Sequence, residues 1–363
     1  MIAVDGLDVA AYQVPTDRPE SDGTLAWVAT TIVVVHAHAG GRTGLGYTYG
    51  SIAAGELVRA RLASVVQGRD ALDLPGAWAA MRAALRNDGP FGLAGYALAA
   101  VDVALWDLKA RLLGVSLVRL LGRRREAVPI YGSGGFCSYT PQELTEQLSG
   151  WAEEGIPRVK MKVGRDPDAD PERVRTARAA VGDDVELMVD GNGAYSAGRA
   201  VAAAERFGEQ DVRWFEEPVS SDDVDGLRRV RARAPAGMAI AAGEYVTDPF
   251  GFQRLLAADA LDVLQGDVTR CGGITGMLQA DALCLAANRP FSAHCAPAIS
   301  AHVLAAMQTA LHIEYFHDHV RVERLLLDGA LEPDGGALRP DPDRPGLGLE
   351  LKRADAERFR CRG

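Results

Sequence analysis

Eight short apolar segments within residues 128–315 alternate with helix-like stretches, and this alternation constrains the fold more than any other feature of the chain. The segments read VPIYG, RVKMKV, VELMVD, VRWFEEP, MAIAAGE, LDVLQGD, PFSAHC and LHIEYF. Strands that alternate with helices form parallel sheets, and eight of them at regular spacing predict a closed (β/α) barrel rather than a meander of hairpins.

The residues before the barrel have a different texture. An apolar strand, TIVVVHAH, spans residues 31–38, and the glycines that follow it at positions 40, 41, 44 and 46 predict a turn-rich loop. Helical patterns cover 55–67, 76–87 and 95–114, the last ending at Gly114. We therefore predict an α+β capping domain over residues 1–125, a barrel over 126–325, and a segment over 326–363 that returns to the cap.

Composition excludes several classes of partner. The formal charge is −10, from 39 basic and 49 acidic residues, which opposes general affinity for nucleic acid or anionic membranes. No apolar run approaches the length of a membrane span, and the N-terminus lacks a basic-then-apolar signal pattern. The five cysteines are scattered without a CxxC pair, which is typical of a reducing compartment. We expect a cytoplasmic protein that acts on a small molecule.

Ionisable side chains end seven of the eight barrel segments, about one βα unit apart. Such groups are costly inside a barrel, so their place at the carboxyl ends of the strands indicates a catalytic mouth. The ring comprises Lys160, Lys162, Asp190, Glu216, Glu244, Asp267, His294 and Glu314.

Three acids of this ring fall on consecutive strands: Asp190, Glu216 and Glu244. Clustered carboxylates repel one another unless a cation joins them, and an all-oxygen ligand set suits Mg²⁺. Each acid taken alone could equally cap a helix or pair with an arginine. Three of them in successive barrel positions predict a metal site.

Lysine is rare in this chain. Only four of the 39 basic residues are lysines, and Lys160 and Lys162 stand two apart in one strand. Residues i and i+2 of a strand face the same side, so both ammonium groups should point into the mouth. Neighbouring ammonium groups lower each other's pKa, which would allow one to act as a base. Solvated lysines on an edge strand are the alternative.

The last three residues of the ring complete a proton-transfer site. Asp267 and His294 end neighbouring strands, where a carboxylate can fix the imidazole tautomer and leave its other nitrogen free to exchange protons. Removal of a proton beside a carboxylate produces an enediolate, whose charge a metal and Lys160 would spread. Glu314, if protonated, could donate a hydrogen bond to it.

These motifs together resemble one family. KMK, DGN, FEEP, GE, QGDVTRCGGIT, SAHCAP and the helix AAVDVALWDLKARLLG are similar to the mandelate racemase subgroup of the enolase superfamily. The resemblance implies an α/β fold, a modified (β/α)₇β TIM barrel with an N-terminal α+β cap. It implies Mg²⁺ on Asp190, Glu216 and Glu244, Lys162 as base on one face, and the Asp267–His294 dyad on the other. Lys160 would neutralise the substrate carboxylate, and Glu314 would polarise it.

Substrate contacts are less defined. Cap loops near 12–24 and 44–49 would select the substrate, and the GSGG stretch at 132–135 would form a loop of the site. Tyr47, Asn192, Tyr315 and His317 are our candidate contacts, whereas His312 and His319 receive no role. Relatives of this kind are often homo-oligomers. His36 and His38 imitate a zinc amidohydrolase motif, but no histidine lies between His38 and His294 to complete it.

Two reactions fit this set of residues. Dehydration of a sugar acid to a 2-keto-3-deoxy acid would use one base for the α-proton and His294 as acid for the β-hydroxyl. Racemisation or epimerisation of a 2-hydroxy acid would exchange protons between Lys162 and His294. A non-catalytic sugar-acid-binding relative is the third hypothesis. We favour dehydration, because it is common among relatives with paired lysines and this dyad.

Overall fold

A computed structural model describes residues 1–89 and 91–361 of the chain. Its N-terminal part is a three-stranded antiparallel sheet in the order β1-β2-β3, with β1 at Val4–Ser21, β2 at Ala26–Ala39 and β3 at Arg42–Tyr49. Five helices follow: α1 (Ala53–Leu57), α2 (Ala63–Val66), α3 (Leu74–Ala84), α4 (Leu93–Leu113) and α5 (Leu117–Leu121), with a π-helical turn, Val58–Leu62, between the first two.

Eight parallel strands then close into a barrel, because the last of them pairs with the first. They are β4 (Val128–Gly134), β5 (Arg158–Lys162), β6 (Glu186–Asp190), β7 (Val212–Glu216), β8 (Ala239–Ala242), β9 (Val263–Gly266), β10 (Phe291–Ala293) and β11 (Ala310–Phe316). The predicted TIM-type barrel with an N-terminal α+β cap is confirmed.

A helix follows each barrel strand. The helices are α6 (Pro141–Glu153), α7 (Asp170–Val181), α8 (Ala197–Gly208), α9 (Val224–Arg231), α10 (Pro249–Ala257), α11 (Gly273–Ala287), α12 (Pro297–Ala306) and α13 (His317–Leu326). Among the residues described, no helix combines the length and the apolar character needed to cross a bilayer.

Strand alternation divides the barrel residues between two environments. Residues such as Leu187 and Phe215 face outward and join the main core beneath the helices. Their neighbours Met188 and Trp214 face inward and form a separate apolar cluster with Tyr131, Ala241 and Val263. This inner cluster fills the barrel below its mouth, and the His312 ring packs against Tyr131 and Trp214 within it.

The C-terminal segment joins the barrel to the cap. It contains β12 (Leu327–Asp328), β13 (Ala337–Leu338), β14 (Glu350–Leu351), α14 (Arg353–Ala356) and a 3₁₀ turn, Glu357–Phe359. Strand β13 pairs with β4 of the barrel, and the Cys361 amide donates to the Ala11 carbonyl of the cap sheet at 2.9 Å. The division of the chain at residues 125 and 325 stays a prediction.

The glycine-rich segment after β2 is only partly a loop. Our loop prediction was wrong for two of its four glycines. Gly40 and Gly41 form the turn, but Gly44 and Gly46 lie within β3, which packs on α4. A Cβ on Gly46 would come within 2.5 Å of the Ala104 amide nitrogen, and one on Gly44 within 2.6 Å of the Leu108 Cβ. These glycines therefore permit close approach of sheet and helix rather than a turn.

Replacing Gly46 by alanine should separate β3 from α4. We expect Gly46→Ala to lower the free energy of unfolding by roughly 1–3 kcal/mol, as for other overpacked sites. Gly6→Ala is the matched control in the same sheet, because a Cβ there meets no atom within 4 Å. Urea unfolding of the two variants checks this, and equal stabilities would contradict the close-packing explanation.

Candidate active site

The barrel brings all eight members of the predicted ring to one end. Each stands within two residues of the carboxyl end of its strand, and none is more than 6% exposed. Direct contacts within 3.5 Å connect Lys160, Lys162, Asp190, Glu216 and Glu314 on one side, and Glu244, Asp267, His294 and Glu314 on the other. Glu314 belongs to both groups.

The three predicted metal ligands lie together. Asp190, Glu216 and Glu244 each place a carboxylate oxygen within 4.8 Å of the others, and all three are buried. Burial and the nearby Asp190 raise the pKa of Glu216 to about 8. The Oε2 atom of Glu244 makes no aligned hydrogen bond among the residues described, although His294 Nε2 lies 3.2 Å from it. Crowded, buried, all-oxygen ligands fit a hard divalent cation such as Mg²⁺.

The two lysines point into this acidic cluster. Lys162 Nζ donates to Asp190 Oδ2 at 2.5 Å, and Lys160 Nζ lies 2.5 Å from Glu216 Oε1 and 2.8 Å from Glu314 Oε1. Burial lowers the pKa of Lys162 and Lys160 lowers it further, but Asp190, Glu314 and Glu244 together offset both, so the pKa lies above its ordinary value. Lys160 therefore lowers the pKa of Lys162 as predicted, but the acids raise that pKa by more.

His294 and Asp267 form the predicted dyad. His294 Nδ1 lies 2.8 Å from Asp267 Oδ2, while the amide and hydroxyl of Thr269 donate to Asp267 Oδ1. Burial raises the pKa of Asp267, but the His294 hydrogen bond and Arg270 bring it down to about 2. His294 Nε2 lies 3.2 Å from Glu244 Oε2 and 3.5 Å from Glu314 Oε2. Glu244 and Glu314 outweigh burial and raise the pKa of His294, which favours a proton donor.

The surroundings of Glu314 favour its ionised form, whereas the hydrogen-bond donor considered above requires the protonated one. Burial raises its pKa, but Lys160 and His294 lower it well below the ordinary value. Ser133 Oγ donates to Oε1 at 2.6 Å, and the Cys295 amide donates to Oε2 at 3.2 Å. Two hydrogen-bond donors and two cations surround Glu314. In its ionised form it can position the side chains of Lys160 and His294, but it cannot donate a hydrogen bond.

Two of the predicted substrate contacts lie near the mouth. Asn192 follows Asp190 in the DGN turn, has a positive φ of 44°, and leaves its Oδ1 buried without a hydrogen bond within the described part of the chain. His317 begins α13 directly after the last barrel strand, and its Nε2 lies 3.1 Å from Asp17 Oδ2 of the cap. Both remain proposed substrate contacts.

The structure does not bring Tyr47 or Tyr315 to the site. The Tyr47 hydroxyl is buried beneath the cap and donates to Glu323 Oε1 at 2.5 Å. Tyr315 follows Glu314 in the same strand, so it must face outward, and its hydroxyl accepts from Arg324 on the outer surface. Strand alternation in the sequence could have excluded Tyr315.

Sequence reasoning missed the aromatic cover of the site. Phe316 continues the inward phase of β11, and its ring lies 5.8 Å from Lys162 Nζ. Phe136, which follows the GSGG stretch, packs edge-on against Phe316 and against Trp27 of the cap. Arg270 was also missed, although it lies in the QGDVTRCGGIT motif. It contacts Asp267 and Glu244, at 3.2 and 3.4 Å.

Family models match nearly the whole chain. Residues 5–122 match the N-terminal domain of mandelate racemase / muconate lactonizing enzyme, and residues 143–356 match the enolase C-terminal domain-like family. The chain belongs to the mandelate racemase subgroup of the enolase superfamily. The resemblance inferred from KMK, FEEP and SAHCAP is thereby confirmed.

Relatives of this chain are named as cycloisomerases and dehydratases. The chain is 31% identical to D-galactarolactone cycloisomerase of Agrobacterium fabrum, over 81% of each chain. It is 31% identical to 3,6-anhydro-alpha-L-galactonate cycloisomerase of Streptomyces coelicolor, over 94% of each. L-talarate/galactarate dehydratase of Salmonella typhimurium is 30% identical over 86% of this chain and 78% of that enzyme.

Solved structures of similar proteins have the same fold. A mandelate racemase/muconate lactonizing enzyme-like protein from Rubrobacter xylanophilus is 58% identical, with a TM-score of 0.97 over 99% of this chain and 100% of that one. A racemase from Streptomyces coelicolor with bound magnesium is 30% identical, with a TM-score of 0.93 over the same shares.

Metal binding by this subgroup member can be tested without a substrate. We expect Mg²⁺ to raise the thermal midpoint of the wild type, because a ligand at 100 times its Kd stabilises the folded state by about 2.7 kcal/mol. Glu244→Gln should weaken Mg²⁺ binding at least tenfold in calorimetric titration. Glu186→Gln is the control, since Glu186 begins the strand that Asp190 ends and pairs with Arg158. Unchanged affinity in Glu244→Gln would refute the assigned ligand.

Proposed function

We propose that this chain removes the proton α to the carboxylate of a sugar acid and expels the β-hydroxyl as water, giving a 2-keto-3-deoxy acid. The observation that carries this proposal is the placement of two proton-transfer groups at the two ends of the three-acid cluster. Lys162 contacts Asp190, the first acid, and His294 contacts Glu244, the third. Relatives named as sugar-acid dehydratases and cycloisomerases support the substrate class.

Asp190, Glu216 and Glu244 would hold Mg²⁺. When bound, Mg²⁺ would polarise the substrate carboxylate and neutralise acids that otherwise favour the protonated lysines. Lys160, in contact with Glu216 and Glu314, would add positive charge where the carboxylate oxygens gain negative charge.

The two sides of the site would then divide the proton transfers. Lys162 takes the α-proton, and the C–H electron pair becomes the carbon–carbon double bond as the bond from the β-carbon to oxygen breaks. His294, whose Asp267 partner favours its protonated form, gives its proton to the departing hydroxyl. The resulting enol takes up a proton at the β-carbon and becomes the ketone. Atoms and charge balance without an oxidant.

Expulsion of a ring oxygen is the second candidate, since two of the relatives are cycloisomerases. The same α-proton would leave, but the expelled oxygen would remain attached to the substrate, so the product would be an isomer. A dehydration product is lighter than its substrate by one water, so mass spectrometry separates the two reactions. Racemisation would give neither a mass change nor a keto acid.

Variants of the two proton-transfer groups test this mechanism. With a sugar acid that is turned over, His294→Asn should lower kcat about 10²–10⁴-fold, because the leaving group loses its acid. It should still exchange the α-hydrogen in deuterated water. Lys162→Ala should lose turnover, and it should also lose exchange of the α-hydrogen on the face of the substrate next to residue 162.

Lys352→Gln is the matched control, since Lys352 lies in the C-terminal segment and donates to the Arg324 carbonyl. It should retain wild-type turnover. The mechanism fails if His294→Asn turns over normally, or if no sugar acid that binds the wild type undergoes elimination or α-hydrogen exchange.

A further inference from the structure

Cys295 is a buried thiol in the mouth to which the proposed reaction gives no role. The residue is 1% exposed, and its Sγ lies 3.3 Å from His294 Nε2 and 3.3 Å from Glu314 Oε2. The Nε2 and Oε2 atoms are 3.5 Å apart. A sulfur, a nitrogen and an oxygen thus form a nearly equilateral triangle, which we call the thiol triad. Among the described residues, no other cysteine belongs to such a group.

The backbone explains how two consecutive side chains converge. His294 follows β10 directly, and successive side chains of an extended strand point to opposite faces. At Cys295 the chain takes a left-handed conformation, with a φ of 50°, and Ser300 Oγ donates to the Cys295 carbonyl at 2.9 Å. This turn interrupts the alternation, so the fold itself places the sulfur beside the imidazole.

The spacing of the thiol triad fits a tetrahedral zinc ion. Zinc bonds are about 2.3 Å to sulfur and about 2.0–2.2 Å to nitrogen and oxygen, so tetrahedral angles separate the ligand atoms by about 3.3–3.7 Å. The three observed separations, 3.3, 3.3 and 3.5 Å, lie in this range. Thiolate and imidazole suit Zn²⁺, whereas Mg²⁺ prefers oxygen ligands alone. The triad therefore favours a different metal from the three-acid cluster beside it.

The neighbours of the triad hold two of its ligands in a way that is common at zinc sites. Asp267 Oδ2 lies 2.8 Å from His294 Nδ1. A carboxylate on one ring nitrogen is the usual partner of a histidine whose other nitrogen binds zinc. Glu314 divides its oxygens: Oε1 lies 2.8 Å from Lys160 Nζ, while Oε2 faces the triad and accepts from the Cys295 amide.

The charge balance of the mouth permits the exchange of protons for zinc. Burial raises the pKa of Cys295, which favours a neutral thiol. Burial lowers the pKa of His294, but Glu244 and Glu314 outweigh it and favour the imidazolium. A thiol that coordinates a divalent cation loses its proton outright. One Zn²⁺ that replaces the thiol proton and one imidazolium proton leaves the net charge unchanged, so no uncompensated charge is buried.

We propose that Cys295, His294 and Glu314 form a Zn²⁺-binding site distinct from the three-acid site for Mg²⁺, and that zinc bound there blocks turnover. The site stands on the geometry of the triad, whereas the block rests on the proposed function. Zinc on His294 Nε2 takes the place of the proton that the histidine would give to the departing hydroxyl. Zinc therefore acts on the acid of the reaction and leaves the Mg²⁺ ligands free.

Cobalt reports on the sulfur ligand without any substrate. Co²⁺ accepts the same ligands as Zn²⁺, and a thiolate bound to it gives a sulfur-to-metal charge-transfer band in the near ultraviolet, which carboxylate ligands do not give. With Mg²⁺ in excess, the reduced wild-type protein should show this band and lose it when Zn²⁺ is added. Cys295→Ala should show no band, and neither should Cys295→Ser, which is closer to cysteine in size.

Cys361→Ser is the matched control, since Cys361 lies in the C-terminal segment and joins no such group in the described part of the chain. It should keep the band. Calorimetric titration with Zn²⁺ in excess Mg²⁺ then measures affinity. Cys295→Ala should bind zinc at least tenfold more weakly than the wild type. Asp267→Asn should bind it about 10–100-fold more weakly, because the histidine loses the carboxylate that orients it.

Three results would overturn the site. The first is a wild-type protein without the cobalt band, which would leave Cys295 as a hydrogen-bonded packing residue. The second is a band that survives in Cys295→Ala. The third is equal zinc affinity in the wild type and Cys295→Ala, which would place the zinc on the carboxylates alone.

Inhibition is measured separately, on a sugar acid that the wild type turns over. Zn²⁺ should inhibit the wild type in excess Mg²⁺, and the inhibiting concentration should rise at least tenfold in Cys295→Ala, each protein being compared with itself without zinc. Relief by more Mg²⁺, or equal inhibiting concentrations, would overturn the block. If no sugar acid is turned over, the block falls with the proposed function, and the cobalt and zinc titrations still decide the site.

Discussion

Charge balance in the buried mouth of the barrel is the constraint on which the rest of the structure depends. Within the described chain, six buried carboxylates meet there: Asp190, Glu216, Glu217, Glu244, Asp267 and Glu314. Against them stand Lys160, Lys162, Arg270 and His294, which together carry four positive charges when the histidine is protonated. When all six acids are ionised, as a bound cation would favour, a divalent cation would bring the total to zero. Buried charges are tolerated only when they are paired. The excess of acids over cations in the mouth therefore implies that a metal ion is needed to balance them.

Most of this arrangement could be predicted because it follows from local periodicity. Residues two apart in a strand share a face, and parallel strands bring their carboxyl ends to the same edge of the sheet. The ring from Lys160 to Glu314 could therefore be predicted once the sheet was assumed to close into a barrel. The same rule, applied consistently, would have rejected Tyr315. The next residue of β11 that faces inward after Glu314 is Phe316, which directly follows Tyr315 in the sequence.

The errors arise where a residue's environment depends on distant parts of the chain. Gly44 and Gly46 look like loop residues until α4 is brought against them, and the 18-residue strand β1 lacks an apolar alternation that would reveal it. The ionisation states also depend on distant parts of the chain. Lys160 and Lys162 are neighbours in sequence, but Asp190, Glu216 and Glu314 come from other strands and exert the larger combined effect. Protonation of a buried cluster is a property of the whole set.

The cap does more than cover the mouth, because a chain of contacts connects it to His294, the proposed proton donor. Tyr47 of β3 donates to Glu323, whose other oxygen accepts the Ala298 amide in the first turn of α12. That helix begins directly after Cys295 and Ala296, two non-glycine residues with φ of 50° and 44°.

Such left-handed residues cost about 1–2 kcal/mol each, and they persist only where the surroundings hold them. The turn they form carries His294 at one end, and it places the Cys295 amide against Glu314. The N-terminal sheet thus contributes twice to the candidate site: its turn at Gly23 packs on the carbonyls of Val163 and Gly191, and Tyr47 supports the turn that follows His294. Because both contacts depend on one sheet, the cap and the barrel form a single structural unit.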